Sequence, residues 1–309
     1  TLEIEVQAYR RRVQRQRYQR TCTCKHCPRT IITPAPAQLI PKGSLGLSIW
    51  VEVLLAKFLT QQPLERLLQQ WQLLGLELAA GTVTDGLQKL TPLFEPLYEV
   101  LCERNRTSAV LQADETRWMV FVAQNGKTGY QWWLWLFVGS DTVCFLLDPR
   151  RSHDVPEKHL RDSHATTLMV DRYSAYKAID LVKDQRIQLA FCWAHVRRDF
   201  IKVGKSYPAL KDWALRWLGA IRDLSRRQRQ RLALRADSPQ RALVEADLRQ
   251  HLTDMQQRAE QELAHPHPRL PCQKVLQSLL EHWPGLTRFV DEPRIPLDNN
   301  AAERLHRNP

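Results

Sequence analysis

The sequence predicts a mixed fold, α+β / α/β in class: a central block of strands alternating with short helices, flanked on both sides by helix-rich segments. Three observations carry that prediction. Residues 117–147 are dense in Val, Phe and Trp and are broken by Gln124-Asn125-Gly126 and Gly139-Ser140-Asp141, the pattern of strands joined by tight turns. Residues 45–104 and 207–290 instead carry Leu and Ala at helical spacing, with no strand signal in the second stretch. Residues 6–51 contain no Asp or Glu but nine Lys or Arg, six of them between Arg10 and Arg20, so this arm carries unbalanced positive charge.

In chain order, residues 1–40 form the basic, Cys-containing arm and its linker. The prolines of Thr33-Pro34-Ala35-Pro36 and Pro41 disfavour helix just before them and mark a boundary near residue 40. In residues 41–106, Leu64, Leu67, Leu68, Trp71 and Leu74 recur at helical spacing and Gly75 interrupts them. A second helix over Ala79–Leu90 would complete a helix-turn-helix, presenting Thr82, Thr84, Gln88 and Lys89 to a DNA groove; the alternative is a helical hairpin that only packs on its neighbour. Residues 107–206 hold three strands, Arg117–Ala123, Tyr130–Val138 and Thr142–Leu147. A helix over Val155–Asp162, a buried strand over Thr167–Val170, a helix over Ser174–Val182, a strand over Ile187–Phe191 and a helix over Ala194–Val203 follow. A three-strand meander followed by alternating helix and strand is the ribonuclease-H-like order. Residues 207–296 form an all-helical insertion with breaks at Asp237-Ser238-Pro239 and Pro266–Pro271, and 297–309 supply the last helix of the core. The basic run Arg226–Arg235 in the insertion reads equally as a solvated helix face or a DNA contact.

The 45 Lys and Arg against 33 Asp and Glu give a net charge of +12, a field that attracts polyanions and makes double-stranded DNA the first expected partner. No apolar run reaches the roughly 18 residues of a membrane span, and no signal peptide opens the chain, so no membrane partner is expected and the predicted location is the cytoplasm, on the nucleoid. The seven cysteines are odd in number and mostly scattered, unlike a secreted disulfide framework. Cys22, Cys24 and Cys27 cluster and are candidate zinc ligands. Structural zinc usually takes four, and His26 adjoins Cys27 and is badly placed to join. The start at Thr1 and the stop at Pro309 read as those of a fragment or a shortened, inactive copy.

Three acids draw the chemistry together. Asp114, in Gln112-Ala113-Asp114-Glu115-Thr116, is placed at the start of the first strand, and Asp171 ends the fourth after Leu168-Met169-Val170. First and fourth strands are neighbours in a ribonuclease-H-like sheet, so these carboxylates can share a divalent ion. Glu303 on the final helix completes the set; Glu281 and Glu292 compete for that place, and Asp298 reads as the helix N-cap. Taken singly, an Asp at a strand end is more often a turn residue. Clustered hard oxygens select magnesium or manganese, and two such ions would serve phosphoryl transfer.

At these residues the chain resembles the insertion sequence 66 transposases. The resemblance rests on Ala113-Asp114-Glu115-Thr116, Trp132-Trp133-Leu134-Trp135, Asp171-Arg172-Tyr173-Ser174-Ala175-Tyr176, Cys192-Trp193-Ala194-His195-Val196-Arg197-Arg198-Asp199-Phe200 and Asp298-Asn299-Asn300-Ala301-Ala302-Glu303-Arg304. It implies a bacterial transposase of the DDE type, working as a homo-oligomer, that cleaves and joins DNA at element ends with Asp114, Asp171 and Glu303 on its metal ions. It also implies His195, Asn300 and Arg304 as supporting residues, His195 reading equally as a structural histidine beside a buried cysteine. For Cys22, Cys24 and Cys27 it implies a zinc module whose other half lies upstream of Thr1 or is missing. The expected DNA contacts are Arg10, Arg11, Arg12, Arg15, Arg17, Thr82, Thr84, Lys89, Arg197 and Arg198. Two other readings stay open, a DNA-binding protein without catalysis and a ribonuclease-H-like nuclease.

Overall fold

The computed structural model describes residues 2, 7–121, 129–266 and 269–306. The chain forms two compact units, Thr1–Leu97 and Tyr98–Pro309. Among the described residues no helix is long and apolar enough to cross a membrane.

In the first unit the basic arm carries a two-stranded antiparallel ribbon, β1 (Arg17–Gln19) and β2 (Thr30–Ile32), followed by α1 (Leu47–Leu54) and α2 (Leu64–Leu73). α2 stops where the sequence says it must. Gly75 takes φ +77°, and the N–H groups of Gly75 and Leu76 reach back to the carbonyls of Gln72 and Trp71 at 3.0 and 2.8 Å, satisfying the last turn. The next helix, α3, departs from expectation: it spans Ala80–Arg106 rather than ending at Leu90, and it contains Pro92 and Pro96. Residues 91–100 are exposed throughout, so the helix carries its two prolines on a stretch that is open to solvent. Trp50, Val53, Ala56, Leu67, Trp71, Val83 and Leu90 form this unit's core. Gly86 belongs to that packing, because a Cβ there would lie 1.8 Å from the Trp50 ring.

The second unit is built on a five-stranded mixed sheet. Its strands are β3 (Val110–Val120), β4 (Tyr130–Val138), β5 (Val143–Asp148), then α4 (Asp154–Leu160), β6 (Thr167–Val170), α5 (Ser174–Lys177), α6 (Asp180–Lys183), β7 (Gln188–Phe191) and α7 (Trp193–Ser206). The order across the sheet is β5-β4-β3-β6-β7; β3, β4 and β5 are antiparallel, and β6 and β7 run parallel to β3. That is the ribonuclease-H-like arrangement. β6 is buried along its whole length, as expected for a strand with a parallel neighbour on either side.

Two local corrections follow from packing. β3 begins seven residues earlier than Arg117, because its first half alternates buried Leu111 and Ala113 with polar residues that face the site, a pattern that lacks the apolar density of a strand. Asp114 therefore sits inside the strand, not at its start. The expected extension of β3 to Ala123 and the turn Gln124-Asn125-Gly126 lie outside the described residues. The single helix expected over Ser174–Val182 is two, broken where Ile179 adopts an extended backbone while its side chain is fully buried.

After α7 come three long helices, α8 (Lys211–Ala233), α9 (Pro239–Leu263) and α10 (Leu270–Glu281), with Ser238 capping α9 by accepting from the Arg241 N–H at 3.2 Å. Trp217, Ile221, Leu224, Leu248, Leu252 and Met255 share one continuous core with the sheet. The basic run is partly internal to this packing: Arg231 is buried and donates to the carbonyls of Phe289 and Val290 and to Glu245, and Arg227 pairs with Asp247. The short α11 (Trp283–Thr287) leads to α12 (Asn300–Leu305).

Candidate carboxylate site

The parallel ladder of β3 and β6 pairs Gln112 with Met169 and goes no further. Two residues on, Asp114 lies inside β3 and Asp171 just past the end of β6. β6 has ended by then, so β3 keeps β4 on one side and loses its partner on the other. The start of α12 fills that gap. The fully buried Asn299 donates from its side-chain nitrogen to the Ala113 carbonyl at 2.9 Å, its backbone N–H points to Cys192 Sγ at 3.1 Å, and Trp193 N–H donates to the Leu297 carbonyl at 3.1 Å. The helix that carries Glu303 is thus tied to the strand that carries Asp114 by a bond to the adjoining residue. Asn299 is the N-cap residue, not Asp298; the Asp298 carboxylate accepts from the Asn300 N–H at 3.0 Å just outside the helix.

The electrostatics match this convergence. The Asp114 carboxyl is pushed up from 3.8 to about 7, first by burial and then by the charges of Glu115, Asp171 and Glu303. Asp171 Oδ1 accepts from the Tyr173 N–H at 2.8 Å, which fixes the turn into α5. Glu303 lies in the first turn of a six-residue helix, where its own N–H bonds the Asn299 carbonyl at 3.0 Å. Its carboxylate is engaged by the Arg198 guanidinium and lies 3.9 Å from His195 Nε2. His195 itself faces Arg198 at 3.3 Å, and burial, followed by the charge of Arg198, holds its imidazole below the ordinary range.

Asp171 and Glu303 lie close enough for their charges to act on Asp114, but the three acids are not drawn tightly together. Among the described residues, Cys22, Cys24 and Cys27 form the one group of three or more such side chains whose ligand atoms all lie within 4.8 Å of one another. The donor set of the carboxylate site still fits a hard divalent cation, since all three side chains offer oxygen and burial, followed by the charges of neighbouring acids, makes the ionised Asp114 costly. The competing acids are committed elsewhere: Glu281 pairs with Lys177, and Glu292 with Arg294.

The structure treats the remaining expected residues unequally. His195 and Arg198 stand at Glu303, whereas Arg304 is exposed and Asn300 contributes the N–H that meets Asp298. Arg10, Arg11, Arg12, Arg15, Arg17, Thr82, Thr84, Lys89 and Arg197 are all exposed. In the loop between β1 and β2, Cys22 and Cys24 Sγ lie 3.0 Å apart; hydrogen bonding from Cys22, then Cys27, lowers the Cys24 thiol to about 7, whereas Cys27 is raised, first by Cys24.

Two groups at the site escaped sequence reasoning. Glu115 faces away from Asp114 on the opposite side of β3, its side chain 1% exposed, where it accepts from Arg151 at 2.6 Å and from the Tyr176 hydroxyl at 2.5 Å. Arg151 in turn lies 4.5 Å over the Trp133 ring and 3.9 Å over that of Tyr173. His306 Nε2 is 3.5 Å from Asp114 Oδ2. The available signal for His306 was its place three residues after Glu303, one helical turn along the same face.

A mixed sheet of this order, with acids at the end of its central parallel pair, defines the ribonuclease-H-like class. Residues 42–308 match the model of the Transposase IS66 family, and the chain belongs to that family. It is similar to two proteins of Sinorhizobium fredii (strain NBRC 101917 / NGR234). It is 25% identical to uncharacterized protein y4hP over 93% of this chain and 55% of that protein, and 26% identical to uncharacterized protein y4jD over 91% and 57%. The chain thus spans about half the length of these relatives. Among solved structures it is similar to the HTLV-2 integrase catalytic core domain in complex with magnesium, with 11% identity, a TM-score of 0.22, and coverage of 36% of this chain and 83% of that one.

Proposed function

We propose that the chain is a transposase that cleaves DNA at the ends of a bacterial insertion sequence and transfers the cut strands, using Asp114, Asp171 and Glu303. The observation that carries this reading is that Asp114 lies on β3 and Asp171 directly follows β6, its parallel neighbour, with Asp171 and Glu303 both close enough to raise the Asp114 carboxyl. Asp114 and Asp171 would hold a divalent ion of the magnesium or manganese type from the sheet, and Glu303 from α12. When bound, such an ion, or a pair of them, supplies charge neutralisation and Lewis-acid polarisation for phosphoryl transfer. Asn299 keeps the helix acid at the strand acids' edge, and His195 Nε2, 3.9 Å from the Glu303 carboxylate, would accept a proton there. The exposed cations Arg10, Arg11, Arg12, Arg15, Arg17, Lys89 and Arg197 would grip phosphates of double-stranded DNA, with Thr82 and Thr84 in the helix-turn-helix-like segment. A zinc ion on Cys22, Cys24 and Cys27 would brace the arm, and a homo-oligomer on the nucleoid would pair the element ends.

The test is cleavage of a duplex carrying the element's terminal sequence, in manganese or magnesium, by the purified chain and by Asp114→Asn. Cleavage and joined products that vanish in the variant support the reading; activity that survives in clean variant protein overturns it. A second reading, DNA binding without catalysis, is favoured by one observation, the guanidinium of Arg198 on Glu303. Tight, salt-sensitive DNA binding with no carboxylate-dependent uptake of a divalent cation would establish it instead.

A further inference from the structure

We propose that Arg198 is an exchangeable counter-ion for Glu303, released to a DNA phosphate when the three acids gather a divalent cation. The inference rests on the reading of Asp114, Asp171 and Glu303 as one site.

Arg198 and a cation would compete for one oxygen. Its guanidinium holds Glu303 Oε1, and His195 Nε2 approaches the same oxygen to 3.9 Å. A divalent ion brought to that carboxylate meets a positive charge already in place, and the two cannot both be closest neighbours of Oε1. What gives way is a side chain, not the helix. The start of α12 is pinned by Asn299 to Ala113 and Cys192, and by Leu297 to Trp193, none of which involves Glu303 or Arg198 side-chain atoms. Glu303 can turn toward Asp114 and Asp171 on a fixed backbone once Arg198 lets go.

Arg198 also has somewhere to go. Its side chain is 45% exposed against 28% for Glu303, and it lies on α7 beside the exposed Arg197. A guanidinium fork suits a phosphate as well as a carboxylate. A phosphate that takes Arg198 frees Glu303, so DNA and the cation must each strengthen the other's binding. Arg198 is in this sense a positioning residue: it acts on the acids through Glu303, and it keeps the third acid occupied until DNA arrives.

The experiment titrates manganese into the full chain by calorimetry at low salt without DNA, for wild type, Arg198→Ala, Arg198→Lys, Lys202→Ala and Asp114→Asn. Lys202 lies one turn further along α7 and controls for the loss of a single charge. Arg198→Ala is expected to tighten manganese binding about fivefold or more, Arg198→Lys by less, and Lys202→Ala by less than either. In the presence of duplex DNA the wild type should approach the Arg198→Ala value, while Arg198→Ala binds that DNA more weakly. These opposite signs separate exchange from general damage, which would weaken both; should Arg198→Ala fail to fold, Arg198→Lys decides. Equal manganese affinities for the Arg198 variants and Lys202→Ala overturn the exchange alone. Absence of manganese binding in every protein, or binding that Asp114→Asn leaves intact, overturns the shared carboxylate site and the exchange with it.

Discussion

The two strand acids and the helix acid reach the same site by different means. Asp114 and Asp171 are placed by a hydrogen-bonded sheet, Asp114 within β3 and Asp171 at the end of the strand that pairs parallel with it. Glu303 rides on six residues of helix whose own ladder is too short to be stable alone; it is held by one buried asparagine and a few backbone bonds. Sheet placement is thus built into the fold, whereas helix placement depends on a handful of contacts, and Glu303 is taken up by a cation of the protein itself, the Arg198 guanidinium.

This contrast makes its largest prediction for the acids. Asp114→Asn or Asp171→Asn should abolish measurable manganese binding and lower DNA cleavage at least about a thousandfold, since two of the fixed oxygen donors belong to these residues. Glu303→Gln should leave a weaker but detectable manganese site while cleavage still falls steeply. Calorimetry beside a cleavage assay checks both, and Glu303→Gln losing manganese as completely as Asp114→Asn would erase the distinction.

The next prediction attacks the anchor. Asn299→Ala removes the donor that satisfies the buried Ala113 carbonyl, at a cost of roughly 1–3 kcal/mol. The loss should be read as a lower thermal midpoint together with faster amide exchange in α12 than in β3 or β6. A variant that loses midpoint while exchange rises equally in β3 would show that Asn299 braces the whole sheet and not the helix in particular.

The same contrast explains what could be read from the sequence. β4 and β6 were legible to the residue, because each is dominated by a continuous apolar run, Trp132–Val138 and Leu168–Val170, with no exposed position in it. The first half of β3 was not, since its site-facing positions are polar for reasons of chemistry, and local propensity cannot distinguish them from a loop. Asp114 and Asp171 were identifiable from their place beside strands. Glu303 needed the family motif, because nothing local sets it above Glu281 or Glu292. Asn299, His306 and the contact of Arg198 with Glu303 come from side chains far apart in sequence that meet only once the gap beside β3 is closed. The run through Pro92 and Pro96 was hidden likewise, as proline spacing does not say which side of a helix faces water.

The smallest effect reports the burial of Asp114 together with the charges of the acids around it. An acid raised from 3.8 to about 7 in the folded chain holds its proton more tightly there than in the unfolded one. Below pH 4 both states are protonated and Asp114 costs nothing. Between 4 and 7 the unfolded chain alone gives up the proton, so the folded state loses ground, and above 7 the penalty is complete. At about 1.4 kcal/mol per pH unit the ceiling is about 4 kcal/mol, and relaxation around a side chain still 17% exposed should reduce it to about 1–2 kcal/mol, a few degrees in thermal midpoint for a chain of this size. Asp114→Asn, free of cation, should therefore melt at nearly the wild-type temperature at pH 4 and above it at pH 8, the gap opening between those values and then staying flat. Adding manganese at pH 8 should raise the wild type and leave Asp114→Asn where it was, because only the wild type has the crowded charge that a cation relieves. A gap that is constant across pH would place the cost in packing instead.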